Sequence, residues 1–163
     1  MARKCPGCGA NVSDYDKACS YCGSNNPDYR SLDQEVLILM GEGVEAFRSE
    51  QYTAAIRSFV QVIDLAPEYF DAYFYLSACL SALDRPGEAI RYMEQAQAIR
   101  PGSAPICYNL GVLCQRVGRK DDARKYLEQA LVLAQTDPGL TDRREFEKQV
   151  RKALAKFNRW KLF

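Results

Sequence analysis

The sequence predicts a mainly α protein, in which three helix pairs stack as a solenoid, a C-terminal helix closes the stack, and a small cysteine-built module precedes it. Three observations carry this expectation. Ala55, Ala89 and Ala123 recur every 34 residues, and each begins a similar apolar pattern. Two CxxC pairs, Cys5 with Cys8 and Cys19 with Cys22, stand in the nineteen residues from Cys5 to Gly23, in a chain that has no histidine. The charge is also unevenly spread, with ten basic and fifteen acidic side chains over residues 31–140 but eight and three over 141–163.

The N-terminal module spans residues 1–29. Cys5, Cys8, Cys19 and Cys22 offer four thiolates, the set that a tetrahedral structural zinc takes with no position left open for catalysis. A two-residue spacer lets a tight turn aim both sulfurs at one ion. Gly9 and Gly23 directly follow the pairs, where a positive φ is easiest. Pro6 stiffens the first turn. The stretch KCPGCGANVSDYDKACSYCGSNNP resembles the short zinc ribbons in which two CxxCG knuckles flank a brief strand-like segment. The resemblance implies structural Zn2+ supplying a folding free energy on the order of 10 kcal/mol, which so few residues cannot obtain by burial. An iron S4 site has the same geometry. A thioredoxin-like couple would need one CxxC opening a helix in a βαβ setting, and two disulfides an oxidising compartment, which seven cysteines fit poorly. Tyr15, Tyr21 and Tyr29 are expected to pack against the knuckles or the first repeat, with base stacking the alternative. Arg3, Lys4, Lys17 and Arg30 against Asp14, Asp16 and Asp28 make a weak footprint for phosphate.

Residues 30–137 hold the repeats, at about 36–69, 70–103 and 104–137. YTAAIRSFVQVIDLAP, PGEAIRYMEQAQAIRP and KDDARKYLEQALVLAQ align, so Pro67 and Pro101 fall 34 apart and Gln135 takes the third place. LMGEGVEAFRSEQY, YFYLSACLSALDRP and CYNLGVLCQRVGRK align upstream of them. Each unit reads as two amphipathic helices. Tyr52, Ala55, Ile56, Phe59, Val62 and Ile63 mark one buried stripe. Gly43, Ala55, Ala89, Gly111 and Ala123 allow close helix approach, and the prolines stop each second helix. Ser31 and Gln34 predict a capping box at the first helix, and Ser103 before Pro105 a cap at the third repeat. Cys79, Cys107 and Cys114 fall on apolar stripes and read as inert core thiols.

NLGVLCQRVGRKDDARKYLEQAL, with Leu110, Gly111, Gly118, Ala123 and Ala130 in place, resembles the tetratricopeptide repeat, and the likeness runs over about 36–135. Glu42 in place of leucine and Gln135 in place of proline depart from its pattern, and Glu42 predicts an exposed or covered face on the first repeat. The resemblance implies a concave groove, lined by the first helix of each repeat, that receives a peptide or a partner helix. Carried over, the inner wall holds Leu37, Met40, Val44 and Phe47 or Arg48, then Asp71, Phe74, Tyr75 and Ala78, then Pro105, Tyr108, Asn109, Val112 and Arg116. Met40, Phe74, Tyr75 and Tyr108 are the expected anchors for an apolar or amphipathic segment. The family's clamp for acidic chaperone tails needs lysine, asparagine and arginine where this chain has Met40, Val44, Tyr75, Pro105 and Asn109, which excludes that ligand.

Residues 138–163 read as one longer helix with Leu140, Phe146, Val150, Leu154, Phe157 and Trp160 or Lys161 on one side. A solenoid's last apolar face needs such a cover. A fold-back into the groove, or a basic face for RNA, a membrane or a calmodulin-like partner, is the alternative.

The expected function is that of a cytoplasmic, non-enzymatic protein-interaction adaptor. Without histidine, Ser-His and Cys-His nucleophile pairs cannot be built, and no apolar run approaches the length of a membrane span. The competing expectation is a nucleic-acid or ribosome-associated factor using the ribbon and the basic helix from Arg143 to Lys161.

Overall fold

A computed structural model describes residues 3–12, 17–27 and 31–158. Tyr15, Tyr29, Arg30, Trp160 and Lys161 lie outside the described residues, as does the side chain of Phe157. The order of elements is β1 (Arg3–Lys4), β2 (Asn11–Val12), α1 (Leu32–Arg48), α2 (Tyr52–Leu65), α3 (Phe70–Ala82), α4 (Pro86–Ile99), α5 (Ala104–Arg116), α6 (Lys120–Leu133) and α7 (Arg143–Asn158). The helices pair as α1 with α2, α3 with α4 and α5 with α6, and each pair stacks on the next.

Three positions repeat the logic of the pairing. Gly43, Ser77 and Gly111 lie 34 apart, each on the first helix of its pair. A Cβ at Gly43 would stand 2.5 Å from the Phe59 ring, and one at Gly111 would stand 2.6 Å from Leu127 and 3.1 Å from the Ala123 carbonyl oxygen. In the middle pair the space takes a serine instead. Ser77 is fully buried, and its hydroxyl donates to the Ala89 carbonyl oxygen at 2.8 Å, so the buried hydroxyl is satisfied. Ala55, Ala89 and Ala123 sit opposite with no exposed surface, as the spacing predicts.

The turns inside the pairs are alike too. Glu50, Asp84 and Gly118 all take positive φ, at 59°, 56° and 79°. The next amide in each case reaches back five residues, Gln51 to Ala46, Arg85 to Leu80 and Arg119 to Cys114, at 2.8, 2.9 and 2.9 Å. This is the bond that closes a helix through a left-handed residue. Only Gly118 adopts that φ without steric cost. Pro67 and Pro101 follow α2 and α4 by two residues, as expected.

The capping box at α1 is present, Ser31 Oγ accepting from the Gln34 amide and Gln34 Oε1 from the Ser31 amide. Ser103 is a correction. Its side chain caps nothing. The first amide of α5, at Ala104, instead donates at 2.7 Å to Asp137 Oδ2, from the loop after α6, and Asp137 Oδ1 also accepts from Gly139 at 2.8 Å. A carboxylate at a helix start satisfies an orphan donor and the helix dipole together. Asp137→Ala is therefore expected to lower stability by about 1 kcal/mol, read as a drop in urea midpoint at unchanged m-value. An unchanged midpoint would show that water replaces the carboxylate.

The C-terminal helix begins later than the sequence pattern. Leu140 precedes it in a loop, and α7 starts at Arg143 behind an Asp142 side chain that accepts from Glu145 N at 3.0 Å. It stacks on α6 as α3 does on α2. Val150 (0% exposed) and Ala153 pack with Cys107, Leu127 and Ala130, and the Phe146 ring meets Tyr108 edge to face at 5.8 Å. So α7 forms the next rung and does not fold across the groove. Among the described residues no helix is long and apolar enough to cross a membrane.

Candidate functional site

The N-terminal module builds two matching knuckles. In the first, Cys5 N donates to Ala10 O and Gly9 N to Cys5 O; in the second, Cys19 N donates to Ser24 O and Gly23 N to Cys19 O, all at 2.8 or 2.9 Å. Gly9 and Gly23 share a φ of 74°, so the glycine after each pair is there for the backbone. Strands β1 and β2 pair antiparallel, and an Ala18–Asn25 bridge matches them on the other knuckle.

The knuckles bring all four predicted cysteines together. Cys5 Sγ lies 3.6 Å from Cys22 Sγ and Cys8 Sγ lies 3.7 Å from Cys19 Sγ, and all four sulfurs fall within 4.8 Å of one another. The separations are far too long for disulfides. A tetrahedron with metal–sulfur bonds of ~2.3 Å has sulfur–sulfur edges of ~3.8 Å, so the set is already close to ligand geometry. Gly7 leaves room for the crossing, because a Cβ there would run into the Ser24 hydroxyl. Cys5 and Cys19 are buried, Cys8 and Cys22 exposed.

Protonation is uneven among Cys22, Cys19 and Cys8. The Ser24 hydroxyl, then the Ser24 amide and the neighbouring thiols, bring Cys22 down to about 6. Backbone amides of Tyr21 and Cys22 lower Cys19. At Cys8 the Ala10 amide pulls downward, yet contact with Cys22, Cys19 and Cys5 leaves it pushed up to about 12. Sulfurs this close cannot all be anionic unless a cation sits among them.

The other three cysteines are thiols of the helical core. Burial raises Cys79 to about 11 and raises Cys107 and Cys114 as well.

The concave side holds three adjoining hollows. Phe74, Ala78, Asn109, Val112 and Arg116, all predicted, line one of about 340 Å3 between α3 and α5. Phe74 and Tyr75 border a larger one of about 710 Å3, closed by Pro105, Arg100 and the loop at 136–139. Tyr108 and Val112 line a third of about 300 Å3 against α7. Phe74 belongs to the first two and Val112 to the first and third, so the hollows adjoin one another from Phe70 to Lys156.

The first repeat contributes to none of these three hollows, which corrects part of the expected wall. Met40 is only 8% exposed and packs in the core with Val36 and Leu39, so it is no anchor. Val44 is half-buried against the same core. Phe47 sets its edge against Tyr52 and Tyr75 at 5.7 and 5.6 Å. Tyr75 in turn stacks on Phe59 at 5.4 Å and meets Phe74 edge-on. Leu37 stays 64% exposed and Glu42 points to solvent.

Ser81, Gln115, Lys152 and Lys156 belong to the groove but were not anticipated. Stepping three residues on from Ala78 and Val112 reaches Ser81 and Gln115, so the helical period could have found them. The two lysines depended on where α7 docks. At the far end of α5 the Arg116 guanidinium donates to the Ser81 carbonyl (2.9 Å) and hydroxyl (2.6 Å) and to Asp84 (2.8 Å), tying α5 to α3.

Comparison with known proteins follows the repeat. A family model described as Tetratricopeptide repeat matches residues 40–104, and a second of the same description matches residues 82–140. The peroxisomal targeting signal receptor of Candida albicans is 28% identical over 112 residues, 69% of this chain and 19% of the receptor. The STIP1 homolog of Dictyostelium discoideum is 29% identical over 109 residues, 67% of this chain and 19% of that protein. The chain thus spans about a fifth of the length of each curated relative. Among solved structures, PcrH in complex with the chaperone binding region of PopD superposes with a TM-score of 0.72 at 15% identity, over 79% of this chain and 95% of PcrH. The Yersinia enterocolitica type III secretion translocator chaperone SycD gives 0.71 at 18%, over 78% and 95%. The first TPR of Spaghetti (RPAP3), bound to an HSP90 peptide, gives 0.61 at 20%, over 75% and 94%.

Proposed function

Because this chain belongs to the tetratricopeptide-repeat family, we propose that it is a non-enzymatic interaction module whose concave groove receives an apolar or amphipathic peptide segment, and whose four N-terminal cysteines hold a structural zinc ion. The observation that carries the groove reading is the continuity of the three hollows, with Phe74 and Val112 as shared walls. PcrH and Spaghetti, which share the fold, were solved with a segment of PopD and with an HSP90 peptide, which supports extending peptide capture to this chain. For the metal, the support is four sulfurs at near-tetrahedral spacing in two matching knuckles. Once bound, a closed S4 site fastens the two knuckles and leaves no position for substrate.

The groove is tested by selecting a displayed random-peptide library on the immobilised full chain and measuring the chosen peptides by fluorescence anisotropy. Phe74 is half-buried at the junction of two hollows, so Phe74→Ala is expected to weaken those peptides by roughly thirtyfold, the size of a hot-spot loss, with an unchanged melting curve. Peptides that bind the Phe74→Ala protein as well as the parent would place the interaction elsewhere.

A further inference from the structure

The charged lining of the groove changes along its length. The largest hollow carries both signs, with Asp71 and Asp137 beside Arg100. The middle one carries Arg116, which Asp84 already neutralises. Among the described residues the third carries Lys152 and Lys156 and no carboxylate, and its other polar groups are Tyr108, Gln115 and Gln149.

Of the other four cations on α7 three are paired, and Arg144, the fourth, does not line the hollow. Glu147 takes Arg143 and Arg151, and Glu145 takes Lys148. Among the described residues Lys152 and Lys156 form no ion pair. They stand four apart on one face of the helix, about 5–6 Å between their Cβ atoms, where like charges repel. Val112 joins their hollow directly to the apolar one at Phe74 and Ala78.

Resting on the groove reading above, we propose that the occupant is an acidic amphipathic peptide, its apolar side against Phe74, Ala78 and Val112 and its carboxylates at Lys152 and Lys156. A carboxylate there relieves the repulsion between two ammonium groups beside an apolar wall, and the positive end of the groove draws anionic segments in ahead of neutral ones. Nucleic acid fits less well. The Tyr108 ring is engaged by the Phe146 ring, and Arg143, Lys148 and Arg151, which could track phosphates, are held by glutamates. This site differs from the chaperone-tail clamp excluded above, because its cations come from the closing helix and not from the repeats.

The test uses a peptide selected on the full chain, synthesised with its Asp and Glu residues intact and again with Asn and Gln in their place. The acidic version is expected to bind the parent protein roughly tenfold more tightly, with the gap closing in K152Q/K156Q and shrinking as salt rises. Both lysines are exposed, so the melting curve of the double variant serves as the folding control. In K152E/K156E, library selection is expected to turn toward Lys- and Arg-rich peptides. Equal binding of the two versions to the parent would overturn the acidic preference and leave the groove reading standing, whereas peptides indifferent to Phe74→Ala would remove both. Displacement of the acidic peptide by an oligouridylate, lost in K152Q/K156Q, would overturn it in favour of a phosphate ligand.

Discussion

Cys19→Ser is expected to release close to one metal ion per chain and to unfold residues 3–27 while leaving α1 to α7 intact. Cys19 is 3% exposed and, with Cys5 and Val12, forms the module's small buried cluster. Three buried residues among those described cannot hold so short a segment, so under the proposed metal site its folding would draw on a metal-binding free energy on the order of 10 kcal/mol. Elemental analysis of carefully prepared parent protein should find about one zinc per chain, and a colourless solution separates zinc from an iron–thiolate centre. Hydrogen exchange then reports where order is lost: protection should vanish at the Cys5, Gly9, Cys19 and Gly23 amides, all of which donate within the knuckles, and persist through α3 and α5. Far less than one metal per chain in the parent, or protected knuckle amides in Cys19→Ser, would sink the metal reading.

Phe59→Ala is expected to cost the array about 3–5 kcal/mol, because a ring with no exposed surface leaves a cavity that a helix pair fills only in part. Its partner makes the prediction sharper. Gly43→Ala alone should destabilise by about 1–3 kcal/mol, since the new methyl would stand 2.5 Å from the ring. Together the changes should be milder than their sum by at least 1 kcal/mol, because the alanine methyl enters space that the ring has left. Urea unfolding of the four proteins completes the cycle. Strict additivity would mean that Gly43 is small for some reason other than Phe59.

Much of this architecture could be read in advance, because it rests on periodic constraints. A 34-residue period fixes which residues oppose one another, and Ala55, Ala89 and Ala123 announce it. Four cysteines at CxxC spacing declare their partners in the same way, down to the positive φ at Gly9 and Gly23. The errors arose where neighbours differ from one repeat to the next. Met40, Phe74 and Tyr108 occupy one register, yet Met40 is buried in the core, Phe74 opens on the groove, and Tyr108 meets Phe146. Asp137 as the cap of α5, reached across 33 residues, carries no local signal at all. Ser77 hid for a similar reason: a polar residue in a glycine's place looks like drift until the Ala89 carbonyl appears beside it.

That series of small residues also bears on how the chain avoids assembling wrongly. Proteins made of near-copies are prone to pair one unit's helix with another unit's partner. Here each first helix carries its own address. Gly43 admits the Phe59 ring, Gly111 admits Leu127, and Ser77 offers a hydroxyl that the Ala89 carbonyl answers. A swapped partner would set a serine Cβ against a large ring, or leave a hydroxyl buried without an acceptor. The repeats share one plan and yet are not interchangeable parts, so the order of the units along the chain is enforced by fit as well as by connection.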